Sequence, residues 1–504
     1  MNISRKRALG FHKNNKRIWL EGVVLENAGL SAGDGVSYVY REDDILIRSS
    51  DENPTHKVCH AARGPIIDIV NANVTRMFKD YSHVSVFSDK NGEITIKGYL
   101  AESKILERES DFKRRVKSGE PLRKGGAFAG LGLLCQSVAR GLNGVGVKTA
   151  HRWSNEYSDI ASAVNLVGEI WESAADDAIM VVDDIYNLDF AQIPRLDVLV
   201  LGNPCPAFSS INVSGKKEGN GDIWNKDSGT IFQPILEMIR AGNPAVVILE
   251  NSKFMLDSIF DFILCDVMKR FGYRRTETII TGQDYGDFER RERLCRVWVS
   301  KGLPELSLEN LPRRENERTV ADVLEPISMD HSSWGRRPYL EVKDAQAHNN
   351  HQFTKVSLTD RTTPVFSASY ARIQPDTPHI PHPERPFETR IFSVSEHCNI
   401  REIDGSLKEA VLSVEQGTLP EGKSTRGSSS EAHRLLGNSC CPRAWASVGE
   451  RVGLWALKLA GVEPEGLPME TESSSCCAAA ISAIDDLGDN NHDIGEEYQY
   501  ALAI

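Results

Sequence analysis

No apolar run in these 504 residues reaches the ~18–20 that a membrane-crossing helix needs. The basic start, Met1 to Arg7, has no apolar segment behind it, so a secretory leader is not expected. Cysteine is sparse: ten residues lie at irregular spacings, and Cys440–Cys441 and Cys476–Cys477 are adjacent pairs rather than C-x-x-C. This excludes a disulfide framework and gives no metal signature. A reducing, cytoplasmic setting without a bound metal is the expectation. No internal repeat is legible. What is present is the mix of a soluble globular chain, 40% apolar and 26% charged, long enough for about two to four domains.

The net charge of −12 is unevenly spread. Residues 461–504 hold ten Asp/Glu and no Lys/Arg, which leaves about −2 for everything before them. Met1 to Lys124 holds 22 Lys/Arg against 17 Asp/Glu. An acidic tail behind a neutral-to-basic body suits a nucleic-acid enzyme or an ordinary cytosolic one, so overall charge decides nothing.

Texture divides the chain. Residues 1–100 read as a small β-rich module. Val84, Val86, Ile94 and Ile96 alternate around Asn91-Gly92, a hairpin signal, and Arg17–Leu20 and Asp44–Ile47 read as further strands. Residues 101–124 read as a charged helical linker. From Gly125 short apolar runs at Ala178–Val182, Asp197–Leu201 and Ala245–Leu249 alternate with helical stretches, the rhythm of a buried parallel sheet. This rhythm spans 125–301, breaks over 302–388 and returns over 389–460, leaving an acidic, unstructured 461–504. In such sheets ligands sit beyond the carboxyl ends of the strands, so those ends are where chemistry is sought.

Five strand ends carry it. Phe128-Ala129-Gly130-Leu131-Gly132 is a glycine loop leading into a helix, and Glu156-Tyr157 and Asp184-Ile185 follow in order. Together they suggest an adenosine-containing cofactor. Asn203-Pro204-Cys205-Pro206 holds a thiol on a stiff loop, where it is either a nucleophile or a buried structural cysteine. Glu250-Asn251 ends the next run and supplies a carboxyl. Arg291 and Arg293 lie in a charged stretch that enters the apolar run Leu294–Val299, so alternate arginines turn inward there.

This ordered set resembles the cytosine carbon-5 DNA methyltransferase family. Phe128–Gly132 resembles its cofactor loop, Gly202-Asn203-Pro204-Cys205 with Phe208-Ser209 its nucleophile loop, and Asp227–Phe232 a further cofactor-side motif. Glu250-Asn251, Tyr285-Gly286 with Arg291 and Arg293, Arg390-x-Phe392-Ser393-x-x-Glu396 and Leu436–Ser439 resemble later motifs, over about Gly125 to Leu457. Several positions depart from the pattern. Leu133 stands for a glycine, Pro206 for a Gln, Ser228 for an Arg, Ser252 for a Val and Glu289 for a Gln, and Ile400–Ile403 replaces the usual end of its motif. Glu289 would place a carboxylate near the catalytic loop.

The resemblance implies a Rossmann-like α/β methyltransferase domain, an inserted target-recognition region over 302–388 and the N-terminal module. It implies S-adenosyl-L-methionine held by Phe128, Gly130, Gly132, Glu156, Tyr157, Asp184, Ile185, Pro204 and Asn438. It implies double-stranded DNA as partner, with a cognate restriction endonuclease as a companion in a bacterial or phage setting, and no membrane. Cys205 thiolate would add to carbon 6 of a flipped-out cytosine, Glu250 would hold ring nitrogen 3, and Arg291 and Arg293 would contact the base and order the loop. Arg313, Arg314, Arg336, Arg337, Arg361 and Arg372 are candidate DNA contacts. RNA cytosine as substrate and a catalytically weak DNA-binding homologue are the alternatives. The N-terminal module resembles small DNA-binding or dimerising β-folds such as swapped-hairpin regulators, and a purely structural appendage is its other reading.

Overall fold

Seven strands line up beneath the glycine loop in one sheet. In chain order they are β1 (Leu122–Ala127), β2 (Thr149–Glu156), β3 (Ala174–Val182), β4 (Val198–Leu201), β5 (Val246–Asn251), β6 (Tyr273–Thr281) and β7 (Glu292–Ser300). The computed structural model describes residues 2–50, 52–204, 222–226, 228–338, 341–342, 354–419 and 426–463. Cys205, Pro206, Phe208, Ser209, Asp227 and most of the acidic tail lie outside the described residues.

The spatial order is β3-β2-β1-β4-β5-β7-β6. β1 to β5 are parallel, and β7 inserts antiparallel between β5 and β6. The sheet is therefore mixed rather than parallel throughout, because a hairpin-like β6–β7 return closes one edge. Its centre is apolar on both faces: β4 is buried at all four residues, and Val246 to Leu249 of β5 are fully buried. Continuous Val/Ile/Leu runs suit strands covered on both sides. The chain order reverses between β1 and β4, where ligand crevices form in open α/β sheets.

The covering helices are α1 (Leu100–Ser118), α2 (Leu133–Gly144), α3 (Asp159–Asn165), α4 (Phe232–Gly242), α5 (Ile259–Arg270), α6 (Val394–Ile400), α7 (Gly405–Gln416), α8 (Ser429–Asn438) and α9 (Pro442–Ala460). α2 and α9 pack backbone to backbone. A Cβ on Gly141 would stand 1.9 Å from Ala446 O, and one on Gly449 would stand 2.2 Å from Val138 O. α1 is more than a linker. Its buried Arg108 donates to Ser300 Oγ and to the carbonyls of Phe271 and Gly272, and Glu109 accepts from Ser300 Oγ and Gly302 N. Charged composition here marks a bolt onto the sheet, ended by Gly119 at φ 68°.

The N-terminal residues form two sheets around their own apolar core. The order strand–strand–strand–helix–strand–strand occurs twice: Ile3–Ala8, Gly10–His12, Asn15–Glu21, Val23–Asn27, Gly35–Tyr40, Asp44–Ser49, and then His56–Lys57, Cys59–Ala61, Gly64–Val70, Ala72–Met77, His83–Ser88, Glu93–Gly98. From the second strand on, first residues differ by 48 or 49 positions. The pairings follow a two-fold: Ile18↔Ile69 mirrors Leu20↔Ile67, and Ile94↔Ile47 mirrors Ile96↔Ile45. The repeat is invisible in sequence because only the inward apolar positions are shared, not residue identities.

Candidate active site

The glycine loop leaves β1 through three left-handed positions, Phe128 at φ 54°, Gly130 at φ 51° and Gly132 at φ 80°. Gly132 caps α2 with no side-chain acceptor, so the helix N-terminus stays open toward the strand ends. A Cβ on Gly130 would meet no neighbour within 4 Å, whereas one on Gly132 would stand 3.0 Å from Asn165 Oδ1. The first glycine borders open space and the second allows close packing. Asn165 Nδ2 also donates to Gly130 O, which holds the turn.

Glu156, at the end of β2, closes the cradle. Gly130 N donates to one carboxylate oxygen at 2.8 Å and Ser158 N to the other at 3.0 Å. Tyr157 beside it is 72% exposed. Beyond β3, Asp184 accepts from Tyr186 N, Ile185 is buried and Tyr186 is half-exposed. Asn155 Nδ2 donates to the carbonyls of Val181 and Asp183 and so ties the ends of β2 and β3 together. Uncapped N–H groups, acids at two strand ends and exposed aromatic faces suit a ligand with a ribose and an adenine. Asn438 ends α8 exposed to solvent.

Beside the cradle, β4 and β5 end together. Asn251 is fully buried and its Nδ2 donates to Asn203 O at 3.2 Å. This bond fixes the chain just ahead of Pro204 and Cys205. The side-chain atoms of Asn203 are buried without a partner among the described residues. Glu250, next to Asn251, pairs with Arg293 Nε at 2.8 Å, with both side chains about one-fifth exposed. The two residues come from β5 and β7, whose antiparallel register sets Glu250 opposite Cys295.

Arg291 is buried. Its Nη1 donates to Phe366 O at 3.2 Å, and its Nε has no partner among the described residues. Burial, helped by Arg293, lowers its pKa to about 10. Glu289 is neutralised rather than left facing the loop. It is paired at 2.9 Å with Arg401, both 1% exposed, and also accepts from Phe366 N at 2.8 Å. Two departures from the family pattern, Glu289 and the Arg401 segment, are thus partners. Sequence reasoning missed this because they are 112 residues apart.

Several buried polar residues act as braces. Arg390 and Glu396 form a buried two-bond pair at 2.6 and 2.8 Å, and Glu396 completes a capping box with Ser393 on α6. Asp287 accepts from Arg443 N and Ala444 N at the start of α9, and burial pushes its carboxyl up to about 7. His397 and His433 meet at 3.1 Å between ring nitrogens, packed against Phe366 and Tyr370. Of the arginines read as DNA contacts, Arg314 pairs with Glu450, Arg336 with Glu341, and Arg361 donates to Asn316 O. These three carry structural bonds of their own.

Among the described residues no group of three or more His, Cys, Asp or Glu side chains could hold a metal. No described helix is long and apolar enough to cross a membrane.

A family model described as C-5 cytosine-specific DNA methylase matches residues 128–451. The chain belongs to this DNA methylase family. Type II methyltransferase M.Bsp6I of Bacillus sp. (strain RFL6) is 30% identical over 149 residues, 29% of this chain and 43% of the relative. Type II methyltransferase M.NgoBI of Neisseria gonorrhoeae is 33% identical over 124 residues, 24% of this chain and 37% of the relative. The matched segments span less than half the length of these relatives. The solved structure of S. pombe Dnmt2 methyltransferase aligns over 67% of this chain and 98% of that chain, at 16% identity and a TM-score of 0.50. This last likeness concerns the fold, a methyltransferase α/β domain to which the DNA methylase chain adds an N-terminal β-rich region.

Proposed function

We propose that the protein transfers a methyl group from S-adenosyl-L-methionine to carbon 5 of cytosine within a specific double-stranded DNA sequence. One observation carries the reading beyond family membership. The Asn251–Asn203 bond draws the chain that leads into Cys205 toward the Glu250–Arg293 pair, so a thiol and a carboxyl would converge on one base.

When bound, the cofactor supplies an electrophilic methyl group on a sulfonium. Phe128, Gly130 and Gly132 would give it an open backbone, Glu156 its ribose contact, Tyr157, Asp184 and Ile185 its adenine contacts, and Pro204 and Asn438 the remaining wall. Cys205 thiolate would form a bond to carbon 6 of the base and Glu250 would deliver a proton to ring nitrogen 3, which leaves carbon 5 electron-rich. After methylation a base would remove the carbon-5 proton, and the electron pair would expel Cys205. Arg293 Nε holds one Glu250 oxygen at 2.8 Å, and the other would face the base. Buried Arg291, bonded to Phe366 O, would order the loop beside the base. The base must leave the duplex stack, at a cost of a few kcal/mol. Residues 302–388 would read the sequence. A cognate restriction endonuclease and a cytoplasmic setting belong to the same reading.

Methyl transfer to mixed-sequence unmethylated DNA, mapped by bisulfite sequencing, tests it. Methylcytosine at one short site is expected, with Cys205→Ser losing transfer but retaining cofactor binding. Wild-type rates in that variant would overturn the adduct. Trapping on 5-fluorocytosine RNA but not on the duplex would move the substrate to RNA.

A further inference from the structure

Residues 363–366 of the 302–388 region run beside residues 288–291, which lead into the two base-side arginines. A parallel bridge joins Glu289 to Thr363, with Thr363 N donating to Phe288 O at 2.7 Å and Arg290 N to Thr363 O at 3.0 Å. Three residues on, side chains take over from backbone. Glu289 Oε1 accepts from Phe366 N at 2.8 Å, and Arg291 Nη1 donates to Phe366 O at 3.2 Å. Both backbone groups of Phe366 are therefore gripped by alternate residues of one extended segment.

Glu289 is the hub of this grip. The same Oε1 accepts from Arg401 Nη2 at 2.9 Å, and Oε2 accepts from Cys441 Sγ at 3.8 Å. Three parts of the chain thus meet on one buried carboxylate: Phe366, the end of α6 at Arg401 and the start of α9 at Cys441. A carboxylate accepting from a backbone N–H makes a charge-assisted bond, stronger than a neutral one. A pair that served the core alone would need only Arg401 and Cys441. Here the oxygen that holds Arg401 also holds the backbone of the inserted region.

The segment stays fixed beyond Phe366. The Phe366 ring lies 4.5 Å from His397 and 4.8 Å from Tyr370. Tyr370 hydroxyl donates to Pro378 O at 2.8 Å and accepts from Phe392 N at 2.9 Å. A Cβ on Gly437 would stand 2.4 Å from Ser367 O, so the segment presses on the end of α8 next to Asn438. Arg372, one of the expected DNA contacts, ends the short turn Tyr370–Arg372. On the other side, Arg293 follows Arg291 by two residues and pairs with Glu250. A strand rises about 3.3 Å per residue, so the grip and that pair are about 7 Å apart along the chain.

We propose that Glu289 is a positioning residue: through Phe366 it sets the recognition segment 363–372 in register with Arg291 and Arg293, so that only a duplex seated correctly on the first brings its base to the second. This role presupposes the methyltransferase function proposed above.

Two double variants of the full-length protein test it. Both are neutral at positions 289 and 401, so neither strands a buried charge. Glu289→Gln/Arg401→Met keeps an oxygen for Phe366 N, and Glu289→Met/Arg401→Met does not. Methyl transfer is measured on the duplex site that the wild type methylates and on the same duplex with one base pair of that site exchanged. Selectivity is the ratio of the two kcat/KM values. The Gln variant is expected to keep kcat and selectivity near the wild-type values. The Met variant is expected to lose about tenfold or more in both, since misplacing the reacting groups by about 1 Å can cost ~100-fold. Equal kcat and equal selectivity in the two variants overturn the role, because a pair that only braced the core would move both alike. A selective Gln variant whose Phe366 amide exchanges its hydrogen as fast as in the unfolded chain also overturns it, and this measurement decides even where the Met variant does not fold. No transfer by the wild type overturns the proposed function and this role together, whereas transfer by the wild type with equal variants overturns this role alone.

Discussion

Glu289 and Arg401 are a pair of wrong residues that make one right contact. Each replaces a different side chain of the family pattern, and each would be an isolated charge at 1% exposure without the other. Removing one partner of a buried pair typically costs about 3–5 kcal/mol, while removing both together costs much less. Glu289→Gln and Arg401→Met are each expected to lower the urea midpoint strongly, and the double variant to lie above both. Additive losses in that cycle would show that the pair is not coupled. His397 and His433 give a second residue-scale prediction. Burial lowers His433 to about 4 and holds His397 well below the ordinary value near 6.5. Arg401 and Arg291 push His397 the same way. The unfolded chain therefore takes up protons near pH 6.5 while the folded one does not. The stability held by this pair is complete above that pH and lost as pH falls toward 4. At pH 5 His433 alone accounts for about 2 kcal/mol. Replacing both by Leu should flatten the fall in urea midpoint between pH 7 and 5, and an unchanged pH slope would exclude them as its source.

At the scale of elements, the α2–α9 contact decides how the return segment closes on the sheet. Gly141→Ala drives a methyl into the Ala446 carbonyl and is expected to cost at least about 1–3 kcal/mol, read as a lower melting temperature. Gly144→Ala, three residues on, meets nothing within 4 Å and should be neutral or raise it slightly. Equal effects at the two glycines would mean that the helices slide apart freely. The same scale shows what a linear reading catches. β4 and β5 were legible because strands buried on both faces are continuous apolar runs. β2 was not, since its buried His151, Ser154 and Asn155 look polar in sequence, and only the fold satisfies them, with His151 Nε2 against Ser154 Oγ at 2.8 Å. β6 was missed because an edge strand carries Arg274, Arg275 and Glu277 among its apolar residues. The strand-end groups Glu156, Glu250 and Arg293 were legible from position alone. The braces Asp287 and Arg401 were not, because their partners lie on elements whose meeting no local pattern encodes.

For the whole molecule, charge is the variable that sequence and structure share. Residues 464–504 carry nine Asp/Glu and no Lys/Arg, so a chain ending at Glu463 has a net charge of about −3 instead of −12. Exposed charges act through solvent over roughly a Debye length, about 10 Å at 0.1 M salt and 30 Å at 0.01 M. A tail of one sign therefore repels phosphate at low salt and hardly at all at high salt. The shortened chain is expected to bind duplex DNA more tightly and with a faster association rate in 0.01 M salt, the gain shrinking steadily toward 0.5 M. A gain of the same size at 0.01 M and 0.5 M salt would mean that the charge of the removed residues is not its cause.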